Sequence, residues 1–243
     1  MNKYKNLHLW MLFPFIIMQA GIFPFYWPTF SQEYWGVHVH YWLASTWYFF
    51  LISQPYLATH GKLEKHRTNG IIGFFIAGGV IFSAIVMLMG DMHNAGMIEN
   101  NPESSNLTPE FLYGVVVIEL ILITAFIYSI VQAIVKRKNL EEHAWWLIAG
   151  LFYIMMPAVG RGFFFVIAVL KGGLFEVPLY VPNNIATAVI ISMLLLFAWK
   201  YKKLNHQATW IGIAINLTTL LHRSIGSSEA VQSLLKSMIL YRP

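Results

Sequence analysis

Seven predominantly apolar stretches, most of them about twenty residues long, follow one another from end to end of this chain. They run over Leu7–Phe30, Val37–Ala58, Ile71–Gly90, Phe111–Val135, Ala144–Leu170, Ile185–Trp199 and Ala208–Ile225. A run of about 20 apolar residues matches the ~30 Å hydrocarbon thickness of a bilayer. Inside lipid every backbone N–H and C=O has to be paired within the protein, which leaves helices or a closed barrel. The short alternating segments of a membrane barrel are missing, so helices are the expectation. Only 11% of the residues are charged and 57% are hydrophobic, too little polar surface for a water-soluble domain. The expected fold is an all-α integral membrane bundle of about seven transmembrane helices over residues 1–226. A short amphipathic helix is expected in the tail, 227–243.

Charge gives the orientation. Placing the N-terminus in the cytoplasm puts Lys3, Lys5, Lys62, Lys65, Arg67, Lys136, Arg137, Lys138, Lys200, Lys202 and Lys203 inside, which is 11 of the 16 basic residues. Every inner connection is then basic, as the positive-inside rule requires. The C-terminus falls outside, and the expected location is a bacterial inner membrane. The net charge of +5 is thereby explained without nucleic acid as a partner. Membrane lipids are the expected partners, together with other membrane or respiratory-chain proteins. The connection from Asp91 to Glu110 reads as a solvated outer loop, and Pro157 predicts a kink in the fifth helix. In the tail, Val231, Leu234, Leu235, Met238 and Ile239 fall on one helical face, with Ser227 or Ser228 as the cap.

Ionisable side chains within spans are costly and mark a buried pair, a watery cavity or a site. Glu119 in the fourth span and Arg161 in the fifth are such residues, at depths that let them meet in the outer half. Histidines form the second group. His38, His40, His93 and His222 all fall near the outer ends of helices, with Asp91 two residues before His93. The chain has no cysteine, so a metal would depend on such side chains. Imidazoles from three elements at one depth suit a transition metal (Fe, Cu or Zn) or the iron of haem b. Against this, residues two apart on a helix point to nearly opposite sides, so His38 and His40 share a centre only if the helix starts after them. Histidines seated in an aromatic interfacial zone are the plain alternative. His60, His66 and His143 make a further group toward the inner face.

The pattern His38-Val-His40, Trp47, Gln54, His66-Arg67-x-x-Gly70, His143 and Pro157-Ala158-x-x-Arg161 resembles a group of uncharacterised bacterial multi-pass membrane proteins. The likeness covers roughly residues 37–165. The paired histidine layers are loosely similar to haem-b membrane cytochromes, and that similarity implies redox or electron-transfer work. The expectation is thus a membrane-embedded metal- or haem-binding protein. His40, His93 and His222 would be ligands, His38 an alternate, and Glu119 and Arg161 would tune the site or carry protons. Two rivals are a non-redox metal-dependent membrane enzyme, in which Glu119 is the general base, and a non-catalytic subunit or assembly factor.

Overall fold

The apolar runs become helices, and the residues between them supply the stops. The computed structural model of the protein describes residues 2–240 and contains ten α-helices among them, with no strand. In chain order these are α1 Leu7–Tyr26, α2 Trp35–Thr59, α3 Leu63–Asn100, α4 Pro109–Val135 and α5 Leu140–Tyr153. They are followed by α6 Met156–Lys171, α7 Val181–Lys200, α8 Gln207–Leu217, α9 His222–Gly226 and α10 Glu229–Leu240. Local chemistry sets several starts. Thr108 accepts from the Phe111 N–H and is followed by Pro109, where a missing N–H costs nothing. Asn139 caps α5 through the Glu141 and Glu142 N–H groups, and His206 caps α8 through that of Ala208.

Five stretches are long and apolar enough to cross a membrane: α1, α3, α4, α5 with α6, and α7. α2 is 25 residues long, yet its Trp, Tyr, His and Gln side chains lower its hydropathy. The stretch from Gln207 to Gly226 is α8, a 3-10 turn at Thr218–Leu221 and α9 rather than one continuous helix. α4 is the central element, touching α3, α5, α8 and α9, while α1 packs between α2 and α6. Large aromatics fill the interior: Trp47, Trp145, Trp146, Tyr153 and Phe197 are all but inaccessible. Phe75, Phe82, Leu170 and Trp199 point outward instead, a surface suited to lipid and not to water. α1 and α6 approach closely at Gly21 and Gly162, where a side chain on Gly21 would run into the Ala158 carbonyl.

Three sequence expectations change. α3 begins eight residues before Ile71 and runs ten beyond Gly90, so the solvated connection shrinks to residues 101–108. The extension is held by apolar contacts: Ala95 and Ile98 are buried with Leu112, Tyr113 and Leu235. The fifth apolar run does not kink; it breaks at Ile154–Met155. Pro157 has no N–H for the Tyr153 carbonyl and its ring collides with that carbonyl, so a new helix starts with the proline in its first turn. The tail helix forms but rests on α3 and α4, burying Leu235 and leaving Leu234 and Met238 exposed. The last three residues of the tail lie outside the described residues.

Candidate functional site

Two cavities open near the end of the bundle that carries the acidic connections, here the outer end. One of about 300 Å³ is walled by α4, α6, α7 and α9, and includes Phe111, Met156, Gly160, Phe164, Asn183, Thr219 and His222. The other, of about 250 Å³, lies among α1, α2, α3, α4 and α6, and includes Tyr26, His40, Tyr41, Trp47, Met87 and Phe126. Five residues line both: Phe25, Asp91, Glu119, Pro157 and Arg161. Asp91 comes from α3, Glu119 from α4 and Arg161 from α6, so three helices deliver three formal charges to one wall between two largely apolar spaces.

The break before Pro157 places part of this wall. It ends α5 beside the second cavity, at Ile154, and starts α6 with Pro157, Gly160 and Arg161 turned inward. The second interruption, Thr218–Leu221, sits at the first cavity through Thr219. Irregular backbone at membrane depth is tolerated where it lines a cavity or is covered by protein. Asp91, Glu119 and Arg161 sense one another electrostatically. Among the described residues neither carboxylate forms a direct ion pair with the guanidinium; the charges stand apart around open space. The field extends outward to the start of α2. There burial first, then the Asp91 and Glu33 carboxylates, push the Tyr34 hydroxyl above its ordinary pKa.

The four outer histidines go to four different places. His38 and His40 both lie within α2 and therefore diverge. The His38 Nδ1 meets the Tyr26 hydroxyl at 2.9 Å, toward α1. The His40 Nδ1 meets Ser83 Oγ at 3.0 Å, toward α3. Ser83 spends its own proton on the Val80 carbonyl, so His40 Nδ1 is the donor and its Nε2 carries the free lone pair. His93 is exposed on α3 rather than beyond its end. His222 is 2% exposed, with Nε2 donating to the Phe111 carbonyl at 2.8 Å and Nδ1 facing the Asn183 amide at 3.2 Å. Its ring fits against Gly114, where any side chain would collide with it.

This distribution does not fit the metal or haem expected from His38, His40, His93, His222 and Asp91. Among the described residues no three His, Asp or Glu side chains stand where they would hold a metal ion. His222 has no ring nitrogen to spare. Of the expected site residues, Asp91, Glu119, Arg161, His40 and His222 line the cavities, whereas His38 and His93 line neither. Sequence reasoning attached Asp91 to the histidines, although its charged neighbours are Glu119 and Arg161. It passed over Asn183, whose signal was an amide directly after Pro182 at the head of an apolar run. It also passed over Ser83, which fixes the tautomer of His40. Comparison with protein-family models, curated proteins and solved structures found no match to this chain.

Proposed function

We propose that the paired outer cavities bind a small apolar organic cation, and that binding displaces a proton shared by Asp91 and Glu119. One observation supports this reading: two carboxylates and one guanidinium line both of two largely apolar spaces, with Glu33 a further carboxylate at the second. The Arg161 guanidinium offsets one carboxylate; the second then lacks a fixed countercharge. In a low dielectric that second acid is held as the neutral acid or by a cationic guest, so proton and cation compete for one place. His40, held through Nδ1 by Ser83, adds a neutral imidazole to the wall of the second cavity. Aromatic walls of Trp47, Tyr41 and Phe126 suit an apolar cation through their ring faces.

In the same reading the chain crosses a bacterial inner membrane seven times with its N-terminus in the cytoplasm. α2 and the α8–α9 stretch are then the two additional crossings, and the basic connections face inward. The test uses two ions of nearly the same shape and opposite charge, tetraphenylphosphonium and tetraphenylborate, added to purified protein in lightly buffered solution. The cation should bind with release of close to one proton, and the anion should not. Glu119→Gln or Asp91→Asn should weaken cation binding at least tenfold, about 1.4 kcal/mol, and abolish the proton release. Equal binding of the two ions, or cation binding with no proton released, would refute the reading. A Soret band in the same preparation would return the histidines to a redox role.

A further inference from the structure

We propose that Gln54, His66 and His143 form a site for one borderline transition-metal ion at the opposite, inner end of the bundle, independent of the outer cavities. The three residues come from α2, α3 and α5, and helix registers bring them to one level. Trp47 of α2 packs edge-on against Phe126 of α4, with ring centres 5.6 Å apart. Both helices run toward the inner end. Gln54 lies two turns beyond Trp47, and Ala133 lies two turns beyond Phe126, so the two meet at one depth on facing sides. The His143 Nδ1 donates to the Ala133 carbonyl at 2.8 Å. The His66 ring lies against the backbone of Gln54, and the rings of His66 and His143 are 6.4 Å apart, nearly perpendicular.

The unmet valences point to a ligand. His66 Nδ1 is buried without a hydrogen-bond partner, and so are both polar atoms of the Gln54 side chain, which is 5% exposed. Buried polar groups left without partners are destabilising, so each of these atoms favours a ligand. His143 anchors one nitrogen on a backbone carbonyl and keeps the other as a lone pair, the arrangement that orients metal-binding imidazoles. The spacing agrees. With metal–nitrogen bonds of ~2.0–2.1 Å and ring centres about 1.2 Å behind the nitrogen, two imidazoles on one ion sit roughly 5.3 Å apart at a tetrahedral angle and roughly 6.5 Å apart when opposed. The observed 6.4 Å corresponds to the wide end of that range. Two imidazoles and an amide, with no thiolate or carboxylate, select copper or zinc over calcium or magnesium and leave a position open to water.

Zn(II) and Cu(I) are the probes, since their preferred angles bracket this spacing, with Mg(II) as the control. The purified full-length protein should take up one equivalent of Zn(II) or Cu(I) against a calibrated chelator, and none of Mg(II). His66→Ala and His143→Ala should each weaken uptake at least a hundredfold, while His60→Ala and His206→Ala leave it intact. Gln54→Leu separates a ligand from a packing residue. It should raise the melting temperature of the metal-free protein by removing unsatisfied atoms, yet weaken metal binding about tenfold. Stoichiometric uptake that survives both His66→Ala and His143→Ala overturns the proposal, as does the absence of uptake by the parent. Tetraphenylphosphonium binding should be unaffected by these variants, so this test and that of the outer cavities fail separately.

Discussion

At the inner end, the acidic and basic side chains are in contact. Glu142 meets Lys136 at 3.2 Å, Lys203 at 3.5 Å and His206 at 3.1 Å, and Glu141 meets Lys3 and Lys203 at 3.4 and 3.3 Å. These bonds tie the N-terminal segment, the start of α5 and the α7–α8 turn together. At the outer end Asp91, Glu119 and Arg161 are drawn from three helices but kept apart around cavities. Contact at the inner end uses up the charges: each acid has fixed donors, and the cluster acts as a clasp. Separation at the outer end leaves charge available to a guest. The same residue types thus touch at one end and stand apart at the other.

The sharpest way to break this contrast is to remove one acid from each end and compare stabilities. Glu142→Ala removes the acid that Lys136 and His206 meet and leaves Lys203, which is only 11% exposed, with Glu141 alone. It should cost roughly 1–3 kcal/mol, read as a fall of several degrees in melting temperature. Glu119→Gln removes a carboxylate with no fixed partner and should leave the protein within about 1 kcal/mol of the parent, on the stabilising side. Equal losses from the two changes would mean that the outer acid is also an architectural one.

Smaller effects sharpen the picture. Glu119→Gln combined with Arg161→Ala should show a coupling of about 0.5–1 kcal/mol, the low end for charges that sense each other without touching. A coupling above about 2 kcal/mol would indicate a direct ion pair and sink the idea of an open cluster. The smallest effect is in the response to acid. Burial, with the Lys203 and Lys136 charges, pushes the pKa of His206 down, and together these outweigh the hydrogen bond and charge of Glu142, which pull it up. The unfolded chain therefore binds the proton more readily. The contribution of neutral His206 is present above the ordinary histidine pKa of ~6.5 and is lost as pH falls below it. Melting temperatures at pH 7.5 and 5.5 should differ by less in His206→Gln than in the parent. Identical slopes would show that His206 takes no part in the acid response.

The helical, membrane-suited character of the chain was legible because it rests on run length and composition, which are local. So were Glu119 and Arg161, conspicuous as charges within apolar runs. What was not legible is direction around each helix axis and partnership across the bundle. His38 and His40 share a depth with His222, yet depth says nothing of azimuth, and each ring found a different hydroxyl, amide or carbonyl. The end of α3 was misread for a related reason. Asp91, His93, Asn94 and Glu99 look like a solvated loop, but Ala95 and Ile98 between them pack on Leu112, Tyr113 and Leu235. Glu99 is met at 2.7 Å by Lys236 from the far end of the chain. Pro157 announced a disturbance; only the structure shows that the helix ends before it.

The polarity of α2 has a consequence for how the protein is made. Four of the polar side chains in its outer half find partners on its neighbours: Gln19 of α1 bonds Ser45 and Tyr41, Tyr26 bonds His38, and Ser83 of α3 bonds His40. A nascent segment meeting lipid alone would carry those groups bare, at a cost that a leucine-rich segment never meets. α1 has already emerged from the ribosome when α2 arrives, whereas α3 has not. The hydrogen-bond partners of α2 therefore lie on both sides of it in the chain, and the one that meets His40 is translated after it.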